Sequence, residues 1–384
     1  MSQDNPFAEL SRDQLELIPH THLPEFHLPE GDIEFKLPPV TIEEFFTPKQ
    51  AVALAETIPE HVRLRGIDQL RDKFDGGKGV KFGIADTGIS FFHIRQGDLK
   101  MSFQDGKDFT NSKSGLDDLN GHGTHCYGII AADSNNGVGT SSVLPNAKGY
   151  VAKVLGDSGA GASSSISAGL TWLADQNVDF ISLSLGGGYS KDIHEACLYA
   201  WKKGIPVVAA IGNEGTAGGG YPAKLNDATI SIAAVDFQGG LADFSSRDAA
   251  TDFAAYGVQV YSTYKDGYAK LSGTSMATPE FAGAIVGAIT ALEIKILGKK
   301  KVKPIEQWIE LIKRFTKDVG PAGHDIGYGW GVVDFATMIV TLEREYQAEL
   351  QQPVPVLTPR NPTIPTLEKK VITVTGSGIT VSVE

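Results

Sequence analysis

The middle of the chain alternates short, almost purely apolar runs with longer segments in which apolar residues recur at helical spacing. The apolar runs occupy residues 80–86, 149–155, 180–185, 205–211 and 229–235. Runs with so little polar alternation are typical of strands in a parallel sheet that is buried on both faces. Residues 163–176 and 192–203, which lie between such runs, have the pattern of amphipathic helices. We therefore predict right-handed βαβ units and an α/β fold, with a mostly parallel central sheet and helices on both faces.

The pattern predicts two further helices. Residues 276–296 are mostly apolar with many small side chains, which indicates one long helix buried against the sheet, with Pro279 in its first turn. The apolar run 126–132 indicates a second helix that begins near His122. The start of the long helix would place free N–H groups and a partial positive charge beside Ser275.

Three polar residues stand among small residues at the ends of these elements. Asp86 closes a predicted strand in the sequence DTG, His122 lies in GHGTHC, and Ser275 lies in SGTSMATP. A serine hydroxyl becomes a good nucleophile when a base removes its proton, and an imidazole titrates near neutral pH. A carboxylate would hold that imidazole in the required tautomer. The three residues therefore predict a nucleophile, a general base and an orienting acid.

Asn213 is the fourth candidate catalytic residue. It follows the run 205–211 in the sequence IGNEG, at the carboxyl end of a predicted strand, where open α/β sheets build their sites. Its side-chain amide and the backbone N–H of Ser275 would bind an oxyanion, and the loss of such a donor costs ~3–4 kcal/mol of transition-state stabilisation. Taken singly, each candidate has an ordinary structural explanation, but together and in this order they favour catalysis.

The order Asp, His, Ser is that of subtilisin, and the chain resembles the subtilases, the subtilisin-like serine peptidases, from about residue 58 to 340. The blocks ISLSLGG, ADFSS and YGWG extend the resemblance, and Cys126 is similar to the proteinase K branch. The resemblance implies a subtilisin-like fold and a serine endopeptidase that cleaves proteins or peptides through an acyl-enzyme intermediate. Two alternatives stay open, a peptide ligase or macrocyclase on the same fold and a catalytically silent binding scaffold.

The resemblance also implies the substrate-binding residues. The stretches 159–164 and 184–186 would flank the substrate backbone. The pocket for the residue before the scissile bond would be formed by Ser184, Leu185, Gly186, Ala210 and Gly212, with Gly220 at its base. Since no carboxylate is expected there, this pocket is predicted to prefer large apolar or aromatic side chains.

The chain departs from the family pattern at three positions outside the catalytic set. Glu280 stands where the family usually has histidine, Tyr256 replaces a frequent proline, and Ile211 replaces a usual alanine. These departures weaken the assignment to a subfamily and leave the predicted activity unchanged.

A calcium site is one of two interpretations of the loop after the predicted His122 helix. Asp98 resembles a family calcium ligand, and residues 133–138, with Asn135 and Asn136, occupy the place of the family's calcium-binding loop. Calcium requires several oxygen ligands, which such a loop could supply. The alternative is a plain turn, since Asn, Asp and Gly favour turns without a metal. No organic cofactor is expected.

Composition narrows the partners of this chain. Its 384 residues carry a net charge of −12, which disfavours binding to nucleic acid or to an anionic membrane. The start of the sequence lacks the apolar segment of a secretory signal, so we expect a cytoplasmic protein, with export by another route left open. The two cysteines, Cys126 and Cys197, are expected to be free buried thiols.

We divide the chain into an N-terminal extension (1–57), a catalytic domain (58–345), and a proline-rich linker with a short C-terminal β segment (346–384). In the extension, the sequence LIPH at 17–20 is similar to the LIPY-type motif of intracellular subtilisins, whose extension lies across the active site and blocks it. This similarity implies intramolecular inhibition. A surface-wrapping or flexible extension is the alternative interpretation.

Overall fold

The computed structural model describes residues 31–47, 50, 56–351, 370–375 and 378–383. The strands, numbered along the chain, are β1 (Glu34–Lys36), β2 (Thr41–Phe46), β3 (Lys81–Asp86), β4 (Phe103–Asp108), β5 (Lys148–Lys153), β6 (Ala160–Ala162), β7 (Phe180–Leu183), β8 (Gly186–Gly187), β9 (Val207–Ala210), β10 (Ile230–Val235), β11 (Phe253–Tyr256), β12 (Val260–Tyr264), β13 (Gly267–Ser272), β14 (Thr316–Lys317), β15 (Val332–Val333), β16 (Lys370–Thr375) and β17 (Gly378–Val383). The helices are α1 (Glu60–Leu64), α2 (Ile67–Leu70), α3 (Phe91–Gln96), α4 (His122–Ala131), α5 (Ser163–Asp175), α6 (Lys191–Lys202), α7 (Thr274–Phe281), α8 (Ala288–Leu297), α9 (Ile305–Lys313) and α10 (Phe335–Gln351). Among these residues, no helix has the length and apolarity that a membrane span requires.

A nine-stranded sheet with the order β14-β15-β11-β10-β9-β7-β3-β5-β4 forms the centre of the fold. All neighbouring strands are parallel except β14 and β15, which pair antiparallel at one edge. Every position of β7, β9 and β10 is buried. The five apolar runs coincide with β3, β5, β7, β9 and β10 to within two residues at each end. The prediction of a mostly parallel sheet is confirmed.

Helices cover both faces of this sheet, as predicted. Successive side chains of β9 enter different cores, with Val208 in one apolar cluster and Val207 and Ala209 in the other. The first cluster includes residues of α4, α7, α8, α9 and α10, and the second includes residues of α5 and α6. The strands therefore pack against both clusters. This packing fixes the positions of their carboxyl ends, next to which candidate catalytic residues lie.

The long helix predicted at 276–296 begins two residues earlier, at Thr274, so Pro279 lies in its second turn and not in its first. The helix also changes type along its length. Between α7 and α8 the backbone is π-helical over Ala282–Gly287, so the helix contains wider turns than expected. Every residue in this stretch is apolar or glycine and fully buried. A helical period cannot be read where no polar position marks the outer face, which is why the sequence did not reveal the change.

Part of the N-terminal extension packs on the catalytic domain. β1 lies antiparallel between β6 and β8, and β2 lies antiparallel beside β13. Residues 17–20, with the predicted inhibitory motif, fall outside the described residues. At the other end, β16 and β17 pair antiparallel within the predicted C-terminal β segment, and α10 continues to Gln351. The proposed division of the chain at residues 57 and 345 stays a prediction.

Candidate active site

Asp86 and His122 meet where β3 ends and α4 begins. His122 Nδ1 lies 2.9 Å from Asp86 Oδ1 and 3.0 Å from Oδ2, and both side chains are buried. A Cβ at Gly123 would lie 2.5 Å from the carbonyl oxygen of Gly88, so the glycines of the two motifs let the strand end and the helix start approach each other. The small residues beside Asp86 and His122 are therefore a requirement of close packing.

Asp118, which the sequence analysis did not identify, ties these two elements together. Its Oδ1 accepts hydrogen bonds from Thr87 Oγ1 and the Gly121 N–H, each at 2.8 Å, and its Oδ2 accepts one from the Thr124 N–H at 2.8 Å. A carboxylate at a helix N-terminus binds N–H groups that the helix leaves unpaired. Asp118 thus holds the first turn of α4, which carries His122, against the end of β3. Its position just before GHGT was the signal that could have revealed it.

The charge of Asp86 sets the proton affinity of His122. Burial favours the neutral ring, but the Asp86 carboxylate, with a smaller contribution from Cys126, holds the pKa of His122 well above its ordinary value. The pair therefore stabilises an imidazolium, which is the form that His122 takes after it accepts a proton from a nucleophile.

Ser275 lies in the first turn of α7, and the proline that follows shapes its surroundings. Pro279 has no N–H to donate to the Ser275 carbonyl one turn earlier. That carbonyl instead accepts hydrogen bonds from Ser184 Oγ at 2.8 Å and Cys126 Sγ at 3.3 Å. Cys126 and Cys197 are both free and buried, as expected.

The hydroxyl of Ser275 does not contact His122 through a hydrogen bond. Ser275 Oγ and His122 Nε2 are both buried, and within the described part of the chain neither has a hydrogen-bond partner. The serine is therefore shielded from solvent and not yet engaged by its base.

Asn213 follows β9 and is held in one orientation by the start of α7. Its Oδ1 accepts hydrogen bonds from the N–H and the hydroxyl of Thr274 at 2.9 and 2.8 Å. Its Nδ2 therefore points into the cleft, where it donates to the carbonyl oxygen of Pro39 at 2.6 Å. The predicted oxyanion donor thus binds a peptide carbonyl of the extension.

On the N-terminal side of Pro39, the extension lies in the cleft as an added strand, β1, between β6 and β8. Phe35 lies opposite Gly161 of β6 and Gly187 of β8, and its side chain is fully buried. A Cβ at Gly187 would come within 2.7 Å of the Phe35 ring, so this ring requires glycine beneath it. The two stretches that the sequence predicted to flank a substrate backbone, 159–164 and 184–186, hold this strand through β6 and β8.

Further hydrogen bonds hold this segment on both sides of β1. The Leu37 N–H donates to the Gly159 carbonyl at 3.0 Å. Asp32 Oδ1 accepts from the Ser164 N–H at 3.0 Å, which caps the start of α5. Residues 32–39 therefore bind the cleft through backbone pairing, a buried aromatic ring and a helix cap.

A cavity of about 450 Å³ lies beside Pro38 and Pro39. Four predicted residues line it, namely Gly186, Ala210, Gly212 and Gly220. Ser184 and Leu185 do not, because Ser184 binds the Ser275 carbonyl and Leu185 is buried in the core.

The expectation of a pocket without a carboxylate is wrong. Glu214 lines the cavity, and its Oε2 accepts a hydrogen bond from Ser246 Oγ at 3.0 Å. Glu214 directly follows Asn213 in the sequence, which is the signal that could have revealed it. One wall of the pocket therefore carries negative charge.

Hydrogen bonds within the chain hold the side chain of Asp98, the first of the predicted calcium ligands. Asp98 Oδ1 accepts a hydrogen bond from the Asn136 amide at 2.8 Å, and Oδ2 accepts from the Thr140 N–H at 2.8 Å and from the Tyr268 hydroxyl at 3.1 Å. Both carboxylate oxygens are thus surrounded by hydrogen-bond donors, whereas calcium requires oxygen acceptors around it.

The loop itself presents donors to a carboxylate. The N–H groups of Asn135, Asn136 and Gly137 donate to Glu56 at 2.9, 3.0 and 3.2 Å. This arrangement is that of an anion-binding turn, with Glu56 as its internal anion. The turn interpretation fits this arrangement, and the assignment of Asp98, Asn135 and Asn136 as metal ligands stays a prediction.

Glu280 and Tyr256, two of the three departures from the family pattern, both contact Arg65. Glu280 on α7 is fully buried and forms a bidentate ion pair with Arg65, whose Nη2 lies 2.9 Å from Glu280 Oε2. Arg65 also donates to the Val333 carbonyl at 2.9 Å, and its guanidinium lies 5.0 Å from the ring centroid of Tyr256. Glu280 and Tyr256 therefore form one unit around Arg65.

Comparison with known proteins supports the interpretation of these residues as a catalytic site. The model of the subtilase family matches residues 77–331. Thermitase from Thermoactinomyces vulgaris is 43% identical over 209 residues, which cover 54% of this chain and 74% of thermitase. Subtilisin DY from Bacillus licheniformis is 42% identical over 286 residues, which cover 73% of this chain and 98% of that protein. Subtilisin Savinase from Lederbergia lenta is 43% identical over 210 residues, which cover 54% of this chain and 75% of that protein. The chain belongs to the subtilase family and is a subtilisin-like serine endopeptidase.

Proposed function

We propose that this endopeptidase uses Ser275 as its nucleophile, His122 as its general base and Asp86 as the orienting acid, and that residues 32–46 of its own chain inhibit it. The observation that carries this proposal is the hydrogen bond of 2.6 Å from Asn213 Nδ2 to the Pro39 carbonyl. It joins the donor that an oxyanion needs to a peptide group of the extension.

The chemistry follows from the positions of the four side chains. With a substrate in the cleft, His122 Nε2 takes the proton of Ser275 as the hydroxyl attacks the scissile carbonyl carbon. Asn213 Nδ2 donates to the oxygen that becomes negative, and Asp86 stabilises the imidazolium. His122 then protonates the leaving amine, and a water molecule, deprotonated by the same ring, hydrolyses the acyl-enzyme.

The extension acts as an inhibitor because it binds as a substrate would but is not attacked. Pro38 and Pro39 have no N–H groups, so they remove backbone donors next to the Pro39–Val40 bond. Ser275 Oγ also has no hydrogen bond to its base while this segment is in place. A tethered segment reaches an effective concentration in the millimolar range, so modest affinity suffices to keep the cleft closed.

The proposed preference is for large apolar or aromatic residues before the scissile bond. The cavity that would receive them has glycine at 186, 212 and 220, which leaves room for a long side chain. Glu214 on one wall adds a second expectation, that lysine and arginine are accepted better than aspartate and glutamate.

The experiment compares the wild-type chain with Phe35→Asp, which places a charge in the buried seat of the segment. We expect the Phe35→Asp variant to hydrolyse a denatured proteome faster than the wild type, with apolar, aromatic or basic residues before the cut. Adding Ser275→Ala should abolish this activity. Hydrolysis that survives Ser275→Ala would refute the catalytic assignment, and equal rates for two folded proteins would refute inhibition.

A further inference from the structure

Residues 41–46 add a third strand to the β12–β13 hairpin. β2 pairs antiparallel with β13, from Thr41 opposite Ser272 to Phe46 opposite Tyr268. Since β12 pairs with the other edge of β13, β2 covers the edge that the hairpin leaves open. An open edge has unpaired N–H and C=O groups that bind another extended segment.

This edge continues directly from the catalytic centre. Because Asn213 binds the Pro39 carbonyl, the Pro39–Val40 bond occupies the place of a scissile bond. Val40 passes the start of α7, where a Cβ at Gly273 would lie 3.0 Å from Val40 Cγ1. Thr41 is then the second residue after the bond and Phe46 the seventh. A substrate bound in the same direction would lay its downstream residues along β13.

The β13 edge presents polar donors to the fourth and fifth of these residues. Ser272 Oγ donates to Glu43 at 2.9 Å, and Lys270 Nζ lies 3.0 Å from Glu44 Oε2. The register shifts between Lys270 and Leu271, which lets both acidic side chains reach a donor on the same strand. This part of the edge is therefore suited to two consecutive carboxylates.

An aromatic slot receives the seventh residue. Phe46 meets the ring of Tyr261 edge to face, with centroids 5.5 Å apart, and Tyr261 stacks on Tyr268 at 5.8 Å. Lys270 Nζ lies 5.8 Å from the centroid of Phe46. The two tyrosines and Phe46 form an apolar cluster separate from the main cores. Aromatic pairs of this geometry contribute beyond the area that they bury.

We infer that the β13 edge, with Lys270, Ser272 and the Tyr261–Tyr268 pair, is an extended docking site for the downstream part of protein substrates. It selects acidic residues at the fourth and fifth positions after the scissile bond and an aromatic residue at the seventh. Residues 41–46 occupy this site in the inhibited enzyme because they have that chemistry. The inference rests on the proposed function, since it assigns the substrate to the same cleft.

The test uses the full-length Phe35→Asp variant and two internally quenched peptides that are identical up to the third residue after the cut. One carries Glu-Glu at the fourth and fifth positions, the other Lys-Lys, and both carry Phe at the seventh. We expect kcat/KM to favour the acidic peptide about fivefold, as for partly exposed charge pairs across a sheet. Adding Lys270→Glu should reverse the preference. Because both peptides are measured on the same protein, partial misfolding does not change the ratio of their kcat/KM values. Leu37→Asp provides a second variant in which the segment no longer closes the cleft.

The inference would be overturned if kcat/KM is nearly the same for the acidic and the basic peptide and Lys270→Glu does not change their ratio. A third peptide, with Gly in place of Phe at the seventh position, should have a lower kcat/KM, and equal values for Phe and Gly would overturn the aromatic slot. If neither peptide is hydrolysed, the catalytic assignment fails, and the docking site is then judged by binding alone. In the Phe35→Asp, Ser275→Ala protein, fluorescence anisotropy should show tighter binding of the acidic peptide, and equal Kd values would overturn the site.

Discussion

Phe35→Ala tests how firmly the extension closes the cleft. The Phe35 side chain is 0% exposed, between β6 and β8. Full burial of a phenylalanine side chain contributes ~1.5–3 kcal/mol relative to its exposed state. The alanine variant loses most of this free energy only in the closed state, since the ring is solvated when the segment is released. At ~2 kcal/mol, the ratio of open to closed enzyme should rise about 30-fold.

The initial rate of hydrolysis of a small chromogenic peptide, measured well below KM, reports the open fraction. We expect this rate to rise about 30-fold in Phe35→Ala if the closed state dominates in the wild type. Met101→Ala is the matched control, because Met101 is 65% exposed and lies outside the segment. Thermal melts would establish that both variants are folded. An unchanged rate in folded Phe35→Ala would refute the reasoning that this ring holds the inhibited state.

Three further experiments test the oxyanion donor, the buried ion pair and the loop that binds Glu56. Asn213→Leu, in the Phe35→Asp background, should lower kcat ~10²–10³-fold with little change in KM, and a loss confined to KM would make Asn213 a binding residue. Glu280→Gln should cost ~3–5 kcal/mol in a denaturant melt because Arg65 is left buried without its partner. Glu345→Gln, in an exposed ion pair, should cost at most ~1 kcal/mol, and equal costs would contradict the importance of burial. EDTA should leave Tm unchanged while Glu56→Gln lowers it, and a fall of Tm with EDTA that calcium reverses would contradict the metal-free loop.

The elements that the sequence predicted well are those with a strong local pattern. β10 is apolar at nearly every position, and its bounds follow from that run alone. The Asp86–His122 pair was predictable because each residue lies among small residues next to a periodic element, and these settings recur in a known family. The same patterns place Asn213 at the end of β9, where the structure has it.

The contacts that the sequence could not reveal join residues that are far apart and lack a local period. β1 has only three residues, and its partners lie more than 120 positions away in the chain, so nothing near Phe35 marks it as a strand in a cleft. The pairing of Glu280 with Arg65 has the same character, since each is an ordinary charged residue until α7 packs against the turn after α1. The choice between a calcium site and a plain turn could not be made from the sequence for a different reason. The same run of Asn, Asp and Gly can form a turn that binds a cation or a turn that binds Glu56. Only the direction of the N–H groups distinguishes the two turns.

The central claim is that Ser275 is a catalytic nucleophile covered by its own extension, and labelling with a fluorophosphonate tests it most directly. Wild type, Phe35→Asp and the Phe35→Asp, Ser275→Ala protein would be treated with the reagent, and the modified residue identified by peptide mass spectrometry. We expect slow labelling of the wild type, fast labelling of Phe35→Asp at Ser275, and none when Ser275 is replaced. Equal labelling rates in the first two proteins, or a phosphonyl group on any other residue, would contradict it.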